Sequence, residues 1–194
     1  MSEQVHGEHM VVVGEDDAGR GAWASGSPAP VPQTDALVTS TPLLPIAMCF
    51  ADCVPIVLVA PGPATAVVHA GWRGALASLP GVAAGALARH AGCPTEHVSA
   101  YVGAHIGAAQ YVIGRELMSQ FVNEFGTFAR AESGGLDLDA VVTASLESAG
   151  VLSCNIARLG ISTAEATDRF FSYRAEAGHT GRHAALACLL GASS

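Results

Sequence analysis

The sequence contains no lysine; all nine of its basic residues are arginines, set against 17 acidic residues. Charged residues make up only 13% and aromatic residues 6%. A chain with a formal net charge of −8 is a poor general ligand for phosphate backbones, so nucleic acid is not an expected partner. A few arginines gathered around one small anion remain compatible with that charge. The missing lysine, with the abundance of Ala, Gly and Val, reads mainly as codon bias of a GC-rich genome. No apolar stretch reaches the ~18 residues of a membrane span. The opening residues, MSEQVHGEHM, lack the basic start and apolar run of a secretory signal. No Cys-x-x-Cys pair occurs, and the five cysteines are an odd number. Free thiols in a reducing cytoplasm are therefore expected.

What is present is apolar and turn-rich. Half of the residues are hydrophobic, which argues for a globular core and against disorder, and 22 Gly with 10 Pro mark many turns. Residues 9–13 read as a strand, and 14–33, rich in Gly, Pro, Ser and Asp, as a loop or poorly ordered connection. Short apolar runs bounded by Pro or Gly predict buried strands at 46–50, 54–60 and 65–69, the last two joined at Pro61-Gly62-Pro63. Residues 75–91 read as helical, starting or restarting after Leu79. Strand signals recur at 97–103, 153–156, 170–173 and 184–190. Apolar faces at helical spacing mark 114–125 and 137–149. No repeat or linker appears, so residues 1–194 read as one domain of mixed α and β structure.

The candidate chemistry starts with Cys53, in ADCVP, and His69, in VHAGWRG. They stand at facing ends of two consecutive predicted strands, and antiparallel neighbours lie about 5 Å apart. A thiol beside an imidazole serves either a nucleophilic cysteine with a histidine base or a metal site. A buried cysteine that only fills the core is the plain alternative. His6 precedes a predicted strand and is followed by Gly7, which permits a sharp turn. With it, one thiolate and two imidazoles with an open fourth position match a catalytic zinc site. Asp52 suits either a carboxylate that holds a ligand histidine in its tautomer or a strand-end turn cap. Arg73, in a Gly-flanked turn, offers a donor fork for an anion or for nearby carbonyls.

QVHG, TDALVT, ADCVPIVL, VHAGWRG, FFSYR and TGR, in this order over nearly the whole chain, resemble the laccase-domain family. This family is also called YfiH-like or polyphenol oxidase. The resemblance implies an α+β fold with mixed β-sheets flanked by helices, layered α/β/β/α. It implies that His6, Cys53 and His69 bind one zinc ion, and that the chain is a purine nucleoside phosphorylase. The substrates would be adenosine, inosine, guanosine or methylthioadenosine with phosphate, and adenosine deamination is a further expected activity. Copper enters only through the older family name, because a multicopper centre needs many more histidines than these. On this reading Cys53, His69 and Arg73 are catalytic. Arg73, His105, Ser172, Arg174 and Arg182 are candidate contacts to the nucleoside or phosphate. An inactive metal-binding module and a cysteine hydrolase using Cys53 and His69 are the competing functions.

Gly103-Ala104-His105-Ile106-Gly107 resembles the family's Gly-Pro-x-Ile-Gly loop, with Ala104 in the Pro position. In Gln110-Tyr111-Val112-Ile113-Gly114, Val112 stands where the family has an acid. Family members also carry several dozen residues ahead of QVHG, which help to build the pocket, and this sequence opens just before Gln4. A preserved metal site with a less complete substrate pocket is the expectation. His9, His90, His97, His179 and His183 carry no motif support as ligands and read as surface or satisfied structural residues. Phe170 reads as core, and Cys49, Cys93, Cys154 and Cys188 as core thiols.

Overall fold

The computed structural model describes residues 1–22 and 25–191. The expected loop at 14–33 forms a one-turn 3-10 helix at Glu15–Asp17 followed by turns, and its residues 23–24 lie outside the described residues.

The core is a six-stranded mixed sheet. Its strands are β1 (Met10–Val12), β2 (Ala36–Thr39), β4 (Val54–Ala60), β5 (Ala64–Ala70), β6 (Ser99–Val102) and β7 (Ile156–Arg158), in the order β1-β2-β5-β4-β6-β7. Strands β3 (Ile46–Phe50) and β8 (His183–Ala187) pair antiparallel as a separate two-stranded sheet. The central hairpin β4–β5 turns at the Pro-Gly-Pro segment, with Pro55 opposite His69 and Ala60 opposite Ala64.

Every residue of β5 is buried, because the sheet is covered on both faces. Alternation assigns the faces. Ala64, Ala66, Val68 and Ala70 join a core with Val38, Ile56 and Leu58 under the helices. Val67 points the other way, into a second core with Leu37, Met48 and Phe50 of the small sheet. His69 has the parity of Val67, so it faces the small sheet and meets the Phe50 ring at 5.4 Å.

The helical layer consists of α1 (Trp72–Leu76), α2 (Leu79–Ala91), α3 (Arg115–Phe125) and α4 (Leu138–Ser148). All four contribute to the first core, so the described helices share one face of the large sheet. The break before Leu79 is real: Ser78 takes a left-handed conformation, and Pro80 sits in the first turn of α2, where its missing N–H costs no hydrogen bond. Gly92 ends that helix in the left-handed region. The Asp137 side chain caps α4 by accepting from the Ala140 N–H.

The expected α+β class with mixed sheets and helices is what the chain forms. Several local expectations fail. Residues 170–173 are not a strand: the Phe170 N–H closes a turn onto the Ala166 carbonyl, and the Ser172 N–H donates to the Glu176 carboxylate. The strand expected at 153–156 is a 3-10 turn at Ser153–Asn155 that leads into β7. Strand β2, whose four residues are all buried, lies within the TDALVT motif; three apolar residues and a threonine are too short a run for periodicity to reveal. Cys154 is exposed rather than a core thiol. Phe170 is half-buried and Phe171 exposed.

Candidate metal centre

Three loop and strand ends converge on one side of the β2-β5-β4 ridge. His69 is the penultimate residue of β5, and Cys53 immediately precedes β4. His6 lies in the N-terminal segment, in a left-handed conformation with φ 58°. One ligand atom from each of His6, Cys53 and His69 lies within 4.8 Å of the others. The two imidazole rings meet edge to face at 4.9 Å. Among the described residues no other group of three His, Cys, Asp or Glu side chains converges in this way.

Gly71 leaves room for the trio. A Cβ there would come within 3.3 Å of both Cys53 Sγ and His6 Cδ2. A thiolate and two neutral imidazoles are the donor set that zinc favours, and three protein donors leave a position open. The residues present therefore fit one such ion.

Electrostatics differ among the three. Burial, followed by the charges of Asp52 and Asp35, pushes the Cys53 thiol up to about 12. Burial and the neighbouring His69 lower the His6 pKa, which keeps its ring neutral. His69 Nδ1 is 2.8 Å from Asp35 Oδ1, with both side chains buried, so Nε2 is its free nitrogen. Burial alone would raise the Asp35 carboxyl, but hydrogen bonds from His69 and the Gly7 N–H outweigh it and hold it low. Asp35 lies in the TDALVT motif, where nothing local in the sequence marks this role. The partner role considered for Asp52 is filled by Asp35. Asp52 itself, with φ 86°, accepts from Thr163 Oγ1 and the Arg174 N–H, each at 2.7 Å.

The trio opens into a cleft of about 610 Å³. Arg73 and Arg182 line it, together with the rings of Trp72, Tyr111 and Tyr173. The Arg73 guanidinium lies 4.2 Å over the Trp72 ring, and Arg182 lies 5.8 Å over Tyr173. Arg73 pairs with no carboxylate among the described residues. Arg182 donates to the Gly181 carbonyl at 2.7 Å. The aromatic lining was not expected from the sequence beyond FFSYR, and Trp72 and Tyr111 were legible only as parts of motifs.

The other candidate contacts stand further back. His105 is buried, with Nδ1 2.9 Å from the Gly103 carbonyl oxygen. Ser172 is fully buried, and its hydroxyl accepts from the Ala175 N–H. The Arg174 side chain donates to the Gln110 and Val112 carbonyls and lies 5.3 Å over Tyr111. None of these three lines the cleft. Of the histidines without motif support, His183 is half-buried between Phe50 and Phe170, and its ring nitrogens have no partner among the described residues.

A purine nucleoside phosphorylase of Staphylococcus saprophyticus is 31% identical over 186 residues, covering 92% of this chain and 68% of that protein. One from Deinococcus radiodurans is 36% identical over 152 residues, covering 76% of this chain and 58% of its own length. The chain thus spans between 58% and 68% of these relatives. The crystal structure of YlmD from Geobacillus stearothermophilus superposes with a TM-score of 0.88 at 31% identity, covering 98% of this chain and 73% of that one. YfiH of Bacillus licheniformis gives 0.87 at 27% identity. No described helix is long and apolar enough to cross a membrane. The family described as multi-copper polyphenol oxidoreductase laccase matches residues 1–190, and the chain belongs to it.

Proposed function

We propose that this chain is a zinc-dependent purine nucleoside phosphorylase. On this reading it splits adenosine, inosine, guanosine or methylthioadenosine with phosphate into free base and sugar 1-phosphate, and it also deaminates adenosine. The observation that carries the reading is the convergence of His6, Cys53 and His69 beside two cleft arginines. The names of the relatives point to the same reaction.

Phosphorolysis joins a phosphate oxygen to the ribose C1′ while the bond from C1′ to the purine nitrogen breaks. The electron pair leaves with the base. The chain must therefore hold a dianion beside C1′ and keep the base in place. Arg73 and Arg182 supply charge and donor forks for the phosphate. Tyr111, Trp72 and Tyr173 offer faces and edges for a purine ring. A zinc ion held by His6, Cys53 and His69 would supply Lewis-acid polarisation of a bound oxygen. His105, Ser172 and Arg174 act on this reading through the loops they fix, and the substrate pair is a small nucleoside with phosphate.

The order Asp35–His69–Cys53 is also that of a cysteine hydrolase triad. A thiol pushed up to about 12 is a poor nucleophile without a metal, and the second imidazole beside it, which a hydrolase triad does not need, completes a metal donor set. The family description invites a multicopper centre, but the described residues bring only these three donors together. Elemental analysis of the purified chain is expected to find about one zinc per chain. Incubated with inosine or adenosine, it should release free base only when phosphate is present. Zinc-loaded protein that releases no base under conditions where the Staphylococcus relative does would overturn the proposal.

A further inference from the structure

Asp35 sits immediately before β2, beside His69 on β5, and is fully buried. Its carboxylate is crowded with donors. Oδ1 is 2.8 Å from His69 Nδ1 and accepts the His6 N–H at 3.1 Å. Oδ2 accepts the Gly7 N–H at 2.8 Å and the Val5 N–H at 3.3 Å. Its backbone carbonyl also accepts the His69 N–H at 2.8 Å. Three successive N–H groups thus wrap one anion, as in a backbone nest, and the middle residue of that nest is His6. The left-handed backbone of His6, unfavourable for a residue with a side chain, is the conformation that turns these N–H groups inward.

We infer that Asp35 is the positioning residue of the metal centre: its two oxygens fix which ring nitrogen His69 presents and hold the turn that carries His6. The inference rests on the metal reading above. An ionised carboxylate only accepts, so Nδ1 of His69 must carry the proton and Nε2 must face the site with its lone pair. The same group ties the N-terminal segment, which no strand secures at residues 3–9, to the ridge that carries the other two donors. Two of three ligands from distant parts of the chain therefore depend on one carboxylate.

Asp35→Asn separates this role from mere packing. The volume is kept, but one oxygen becomes an amide donor. In the Oδ1 position that donor would face the His69 Nδ1–H and the His6 N–H, and in the Oδ2 position the Gly7 and Val5 N–H groups, so one set of bonds is lost either way. Zinc affinity, measured by competition with a chromophoric chelator, is expected to fall about 10- to 100-fold. Ser145→Ala, which removes a hydroxyl between α2 and α4, should lower thermal stability and leave zinc affinity unchanged. Zinc binding by Asp35→Asn within about threefold of the unmodified chain overturns the inference while the metal reading stands. Failure of the unmodified chain to bind zinc overturns both. Should Asp35→Asn not fold, the metal-free unmodified chain still decides. Nitrogen–proton correlation NMR is expected to show His69 as the Nδ1–H tautomer, and an Nε2–H tautomer overturns the assignment.

Discussion

Burial and two neighbouring carboxylates keep the proton on Cys53 in the metal-free chain, and a thiol reacts with electrophiles only as its thiolate. Cys154, by contrast, is exposed. Iodoacetamide should therefore modify Cys154 well before Cys53, as read by peptide mass spectrometry over time. Faster labelling at Cys53 would favour the nucleophile reading. Arg73 tests the anion clamp. Hydrogen bonds to charged groups contribute about 1.5–3 kcal/mol, so Arg73→Ala is expected to raise the KM for phosphate about 10- to 100-fold. The KM for nucleoside should move much less. Arg73→Lys keeps the charge but not the fork and should recover only part of the loss.

At the scale of elements, close approaches between helices and loops set the geometry. Gly81 lies in α2 where a Cβ would come 2.3 Å from the Ser145 carbonyl oxygen of α4. Alanine in place of glycine favours a helix interior by about 1 kcal/mol, while overpacking a rigid contact costs about 1–3 kcal/mol. The contact is with buried backbone, so the cost wins, and Gly81→Ala should destabilise the chain by up to about 2 kcal/mol. Denaturant unfolding measures this. The loop that brings Tyr173 and Arg182 to the cleft is held by Glu176, which accepts from the Ser172 N–H and the Thr180 hydroxyl. The Thr180 hydroxyl bond, then the Ser172 bond, lower the Glu176 pKa below its usual 4.5. A depressed carboxyl holds its contacts above the unfolded value and loses them as pH falls through its folded value. The Ser172 amide resonance should therefore titrate with a midpoint below that of a free glutamate, and the titration should vanish in Glu176→Gln.

For the molecule as a whole, an ion that binds only the folded chain adds stability by mass action. At a free zinc concentration 100 times its Kd the gain is about 2.7 kcal/mol. A domain of this size shifts its Tm by about 2–4 °C per kcal/mol. Chelation should thus lower the Tm by about 5–10 °C, and Cys53→Ser should abolish that difference. An unchanged Tm on chelation would speak against a resident metal.

Strong local signals carried much of this protein without a structure. The apolar runs that became β3, β4 and β5 are bounded by Pro and Gly, and the amphipathic faces of α3 and α4 repeat at helical spacing. The motifs around His6, Cys53, His69 and Arg73 were legible because each is a contiguous string. Three things were not. Asp35 has no local mark of its function, since its importance comes from register: β2 lies beside β5 and sets it against His69. The segment 170–173 reads as a strand until Glu176 claims the Ser172 N–H and the Ala166 carbonyl that of Phe170. The cleft gathers Trp72, Tyr111 and the loop of Tyr173 and Arg182 from three separate stretches of chain. The sequence alone thus determined the class of fold and the three candidate donors, because hydrophobic periodicity and short motifs are local properties. Tertiary structure alone decided which carboxylate serves those donors and which arginines reach the cleft. A buried group takes its role from the neighbours it meets, and those neighbours are set by strand pairing and packing rather than by adjacency along the chain.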